Sequence, residues 1–221
     1  MGIIFDNVII DGTIKTGQDF GFNPIGNPTN WNPADKGSDV ILSNNDLTAF
    51  LGTGLNTGRH VRSVASVTTG KYYWEYVSDN FAVHGIAGIS KPTATITRHP
   101  GSNIDGWGYN QSSGFINHNG TGFNLGFDSY TDDGDIISIA LDMDTGKLWF
   151  AKNGVWQGAG DPASGTNSVQ DLNGAITLVT SPIHAAVGDG SSFSTPQYTA
   201  NFGATAFTYP VPNGFTGGFG N

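Results

Sequence analysis

From Trp31 to the C-terminus, short apolar runs recur with turn residues between them. The clearest are Val40-Ile41-Leu42, Val61 to Val67, Tyr72 to Val77, Val83 to Ile89, Gly114 to Asn117, Ile136 to Asp142, Lys147 to Lys152, Ile183 to Val187 and Tyr198 to Phe202. Apolar and polar positions alternate in these runs, and no segment sustains a helical period over three turns, so strands are predicted throughout and helices are few. Asp144-Thr145-Gly146 separates two such runs, and Asn153-Gly154 separates the next pair. Both read as hairpins, because Asn and Gly tolerate the positive φ of a tight turn. No apolar run approaches the roughly 18 residues that would cross a bilayer, so no membrane insertion is expected.

The first thirty residues differ from the rest. Ile3-Ile4-Phe5 and Val8-Ile9-Ile10 read as short strands, and a Gly, Pro and Asn-rich connector follows from Gly17 to Asn30. The division expected is therefore an N-terminal arm and connector over 1–30 and a β-sandwich domain over 31–221. So short an arm cannot bury its own apolar face, which makes Ile3, Ile4, Phe5, Val8, Ile9 and Ile10 candidate assembly residues, pairing with the main domain or with another chain.

Composition narrows the chemistry. Thirty-three glycines and ten prolines supply the punctuation of a many-turned β protein. Nine Lys and Arg stand against eighteen Asp and Glu, giving a net charge of −9, and the last cation is Lys152. Nucleic acid is not an expected partner, since affinity for it comes largely from cations neutralising phosphates. With no cysteine there is no disulfide, thiolate nucleophile or Cys-ligated zinc. Asp132, Asp133, Asp135, Asp142 and Asp144 cluster in sequence, but the run after Asp142 lacks the bidentate Glu of a calcium loop, and these residues read as turn formers. Glu75 is the single glutamate, which leaves no natural pair of opposed carboxylates for glycoside hydrolysis. The five histidines show no zinc-binding spacing. No catalytic residue, metal or cofactor is assigned.

Several stretches resemble a known family. Gly70-Lys71-Tyr72-Tyr73-Trp74-Glu75-Tyr76, Gly85-Ile86-Ala87-Gly88-Ile89-Ser90, the run from Gly134 to Asp144 continued by Gly146 to Gly154, Ser181-Pro182-Ile183, Asn201 to Phe207 and Pro212-Asn213-Gly214-Phe215 are together similar to the SPRY domain family over about residues 31–221. The resemblance implies a bent β-sandwich of two antiparallel sheets with no catalytic residues and no cofactor, binding peptides or folded proteins through its loops. Forms with little Lys and Glu, much Gly, Asn and Thr, and an N-terminal arm look like those of tailed bacteriophages. A location at the virion surface is implied, as a head decoration, fibre or tail adhesin. The partners implied are other virion proteins or further copies of the chain in a homo-oligomer, with a host-surface protein or glycan as the external target. A carbohydrate-binding lectin and an intracellular SPRY interaction module are the alternatives.

The segment from Lys91 to Asn124 is long and rich in Gly, Asn and Ser. It carries Arg98, His99, Trp107, Tyr109 and His118, and aromatics with Arg on a loop make effective recognition surfaces. Arg59 and Arg62, just ahead of the Gly70 strand, complete the candidate partner-binding set; for Trp107 and Tyr109, packing onto the sandwich is the competing reading.

Overall fold

The computed structural model describes residues 29–52, 59–80, 84–190 and 195–220, together with the backbone of 8–10 and 13–15. Ile3, Ile4 and Phe5 lie outside the described residues. Strands β1 (Val8–Ile10) and β2 (Thr13–Lys15) pair with each other in antiparallel register, Ile10 opposite Thr13, as a two-stranded sheet of their own.

The remaining strands are, in chain order, β3 (Trp31–Lys36), β4 (Val40–Ser43), β5 (Thr48–Leu51), β6 (His60–Ser63), β7 (Lys71–Asn80), β8 (Gly85–Ser90), β9 (Gly106–Asn110) and β10 (Ile116–His118). They continue with β11 (Thr121–Phe123), β12 (Asp135–Asp142), β13 (Lys147–Lys152), β14 (Val155–Trp156), β15 (His184–Asp189), β16 (Gln197–Asn201) and β17 (Thr216–Gly217). As expected, the fold is all-β and built from two sheets. One has the order β11-β10-β9-β8-β15-β6-β3, the other β14-β13-β12-β7-β16-β5-β4, and β17 runs parallel to the start of β7. Both expected hairpins form: β12 pairs β13 across residues 143–146, and β13 pairs β14 across Asn153-Gly154, where both residues have positive φ. One helical turn, Val169–Leu172, is held by a capping box in which Ser168 and Asp171 satisfy each other's backbone N–H groups.

Strand alternation decides what enters the space between the sheets. Along β7, Trp74 and Tyr76 point inward; Ile137, Ile139 and Leu141 on β12 and Leu148 and Phe150 on β13 do the same. Trp31 packs edge-on against Phe202 at 5.0 Å, and Phe219 meets Trp74 at 4.8 Å. Each such ring removes about 150–250 Å² from water, so these aromatics dominate the core.

Both sheets are also covered on their outer faces, which is why β8 and β12 are buried along nearly their whole length and β7 is buried from Tyr73 to Tyr76. Over the second sheet lies the C-terminal stretch. Phe207 packs edge-on against Tyr73 at 5.1 Å, Phe215 against Trp149 at 6.2 Å, and the carboxylate of Glu75 accepts hydrogen bonds from the backbone N–H groups of Thr208 and Tyr209, both at 2.9 Å, and from the Tyr73 hydroxyl at 2.7 Å. The single glutamate is thus an anchor for this cover. Over the first sheet lies the segment that separates β8 from β9.

Candidate functional site

Residues 91–105, fifteen positions between Ser90 and Gly106, carry neither helix nor strand. Connections this long without structure of their own are uncommon in compact domains and are usually functional. The segment returns over the outer face of the first sheet and is held there as a strap. Its seat is made of glycine: a Cβ on Gly108 would stand 2.6 Å from the carbonyl oxygen of Pro100, and one on Gly188 2.6 Å from Pro100 Cδ and 2.9 Å from His99 Cα. Only a strand without side chains at those positions lets Pro100 settle onto the sheet, so the glycines that punctuate β9 and β15 are packing residues.

Two side chains of β6, two positions apart and hence on the same face, fasten the strap. His60, fully buried, lies with Nδ1 3.2 Å from the Thr95 carbonyl oxygen and Nε2 3.1 Å from Ser90 Oγ. Neutral imidazole satisfies both by donating from Nδ1 and accepting at Nε2. Arg62 donates through Nε and Nη2 to the two carboxylate oxygens of Asp35 on β3, each at 2.7 Å, and through Nη1 to the carbonyls of Ala94 at 2.6 Å and Lys91 at 3.2 Å. Such a bidentate pair is the strong form of ion pair. Burial pushes the Asp35 carboxyl up, but the Arg62 bonds and charge outweigh it and hold it below the usual carboxylate range. Burial first, and the Arg62 charge second, lower His60 from 6.5 to about 4.

The sequence-predicted binding residues separate in space. Trp107 and Tyr109 lie on β9, and His118 on β10, all with 1% exposure or less. Trp107 stacks on His118 at 4.9 Å and donates Nε1 to the Thr177 carbonyl at 3.0 Å, while Tyr109 packs at 4.9 Å from Tyr130. The strand expected over Gly114 to Asn117 corresponds to β10, but the loop reading of Trp107 and Tyr109 is corrected: they lie on β9, and the stretch is a strap followed by three strands. Trp107 and Tyr109 alternate with Gly108 as a strand requires, and Gly108 is glycine because Pro100 covers it. Neither ring offers a surface for stacking a sugar. Arg59 and Arg62 are each 5% exposed; Arg59 pairs with Asp189 at 2.5 Å. Their guanidinium groups fasten the face instead of projecting from it. His99 is half-buried against Gly190, its Nδ1 2.9 Å from the Pro100 carbonyl oxygen, and burial lowers its pKa, with the charges of Arg98 and His84 adding to the shift against that bond. Arg98 is exposed.

Sequence reasoning missed His60, His84, Asp35 and Asp189. A readable signal existed for the first: His60 and Arg62 share one face of a strand that a buried strand does not fill with polar residues unless something covers it.

The distribution of cations sharpens the picture. All three arginines lie on this face. Of the Lys and Arg with described side chains, Lys71, Lys91, Lys147, Lys152, Arg59 and Arg62 each pair with an aspartate, and Lys36 donates to the Val40 carbonyl at 2.7 Å. The Arg98 guanidinium alone has no hydrogen bond or ion pair among the described residues. Its neighbours on the strap, Thr95 and Thr97, are exposed and share a 2.7 Å hydroxyl contact. No group of three or more His, Cys, Asp or Glu able to hold a metal occurs among the described residues.

Residues 71–175 match the family described as SPRY domain. The fold is similar to that of the SPRY domain of human HERC1, with a TM-score of 0.57 and 22% identity over 77% of this chain and 96% of that one. It is likewise similar to the PSpry domain of TRIM65 (TM-score 0.57, 15% identity, 79% and 89% covered) and to a human SPRY domain (TM-score 0.56, 16% identity, 76% and 98% covered).

Proposed function

We propose that this chain, with the fold of a SPRY domain and that family's match over 71–175, is a non-enzymatic protein-binding protein whose contact surface is the exposed side of the strap at Thr95, Thr97, Arg98 and His99. SPRY domains are in general protein-interaction modules. Fold alone does not give a role. The observation that carries the assignment to this surface is the free guanidinium of Arg98 on a fifteen-residue strap, where the other Lys and Arg with described side chains are held in internal bonds.

The context we infer is a virion surface, where the 1–30 arm anchors the chain in a multi-copy assembly and the 31–221 sandwich meets the partner. Two features support it: a composition poor in Lys and Glu, and a β1–β2 hairpin outside both sandwich sheets. A lone two-stranded hairpin is at best marginally stable in water, so a second surface is needed to cover it. The fold gives equal support to an interaction module working inside a cell.

A photocrosslinking residue at Thr97, compared with one at Ser164, exposed over the opposite sheet, tests the surface. Adducts to a second protein from Thr97 and none from Ser164 are expected in the native assembly; equal adducts, or adducts from Ser164 alone, refute it. Light scattering on the full chain and on a chain beginning at Thr29 tests the arm. Thr29 is the start because its Oγ1 accepts from Ala65 N at 2.9 Å and the Asn30 carbonyl accepts from Val64 N at 2.8 Å, so a truncation there leaves both bonds to the sandwich in place. Truncation is expected to lower the oligomeric state; an unchanged mass removes the anchoring role.

A further inference from the structure

The strap's chemistry points to a class of partner. We propose that the surface around Arg98 captures an acidic peptide segment, with a partner carboxylate taking the place against Arg98 that aspartates take against Arg59 and Arg62, the two buried arginines of this face. This rests on the reading of the strap as the contact surface and adds the partner's chemistry to it.

Three observations carry the inference. First, the two arginines beside the strap show the pattern: Arg62 binds Asp35 with two bonds at 2.7 Å each, and Arg59 binds Asp189. Arg98 presents the same planar donor set to solvent without a carboxylate. Second, the acids nearest this surface are already engaged, Asp35 and Asp189 by these arginines and Asp105 by Lys91 at 3.7 Å, so the free charge of the strap is positive. His84, exposed beside His99, adds no negative charge. Third, the chain as a whole carries −9. Against that net negative charge, a local positive site favours one register and orientation of an acidic partner, the usual gain from charge complementarity. Thr95 and Thr97, exposed on the same strap, carry hydroxyls that can donate to a carboxylate or a peptide carbonyl.

The experiment is an NMR titration of the full ¹⁵N-labelled chain with two short capped peptides, one containing Glu-Glu and the other Gln-Gln at the same positions. Saturable shifts of the Thr95 to His99 amides by the Glu peptide, about tenfold tighter than by the Gln peptide, are expected. Arg98→Gln should abolish the preference and Arg98→Lys should retain part of it; because the Arg98 side chain is exposed and makes no hydrogen bond or ion pair among the described residues, neither variant should disturb the amide shifts of β7 and β12. Equal affinity for the two peptides, no saturable binding of the Glu peptide at millimolar concentration, or a preference that survives Arg98→Gln overturns the inference. If the Thr97 adducts form but the charge preference does not, the contact surface stands and its acidic partner falls.

Discussion

Acidification should loosen the strap before it harms the sandwich, because the histidine beneath it cannot accept a proton in place. Folded His60 is lowered from 6.5 to about 4, so between those values any state that exposes it binds more protons than the closed state does. Stability is then fully present above about pH 6.5 and is lost as pH falls toward 4, the sign expected for a depressed folded-state pKa. At pH 5.0 the loss for this one site is about 2 kcal/mol, at 1.36 kcal/mol per unit. The groups around His60 do not cancel it. Arg62 and His99 oppose its protonation, and Asp35, the nearest carboxylate, is held by Arg62. Burial lowers His99 and His118 as well, which adds to the slope in the same direction. The carboxyls of Asp35, Asp142 and Asp171 are held below 3.8, so their contribution is lost only at lower pH. Hydrogen exchange at pH 7.5 and 5.0, corrected for intrinsic rates, should show the Ala94 and Ser102 amides, bonded to Lys91 and His99, losing protection while those of β7 and β12 keep theirs. In His60→Gln, urea denaturation at the same two pH values should recover about 2 kcal/mol of the wild-type difference, whatever its absolute stability. An identical pH dependence in the variant and the wild type would show that His60 does not carry the effect.

Two further outcomes follow from the covers on the sheets. Gly188→Ala drives a Cβ to 2.6 Å from Pro100 Cδ and should cost about 1–3 kcal/mol by overpacking, with faster proteolysis within 91–105, whereas Gly174→Ala, with open space around it, should be neutral. Glu75→Gln replaces one acceptor oxygen with an NH₂ facing backbone donors that the carboxylate now satisfies, and should cost about 1.5–3 kcal/mol, read by thermal unfolding and by faster exchange at Thr208 and Tyr209.

The sandwich was legible because strand alternation is a local signal: Trp74 and Tyr76, or Leu148 and Phe150, announce a buried face two residues at a time. The candidate surface was legible only in part. Arg98 and His99 were named from residue type and loop composition, but the same reasoning took in Trp107 and Tyr109, because Gly106 and Gly108 add to a glycine-rich composition. Their real cause is a segment folded over them from elsewhere in the chain, and no local pattern reports what lies across a strand. Arg59 and Arg62 misled for a related reason: a charge in sequence does not disclose whether an aspartate more than twenty residues away has already taken it, as Asp35 has for Arg62. The pairing of β1 with β2 was also unreadable from apolar content, since β2 is Thr-Ile-Lys.

The two outer covers differ in what binds them, and that difference bears on which one meets a partner. The C-terminal cover is fastened by ring packing on Tyr73 and Trp149, by a carboxylate receiving two backbone N–H groups, and by Phe219 inserted into the core against Trp74. These contacts are apolar or fully satisfied, and moving that cover would open the core. The strap is fastened by polar groups, a neutral histidine and an arginine bound to backbone carbonyls, over a seat of glycine that has no side chains to grip it. Beneath the strap the sheet keeps its own core side chains, so the strap can shift without exposing Trp74 or Tyr76. A surface that is to adapt to a partner belongs on the cover whose displacement costs least, and the unpaired Arg98 is found on that one.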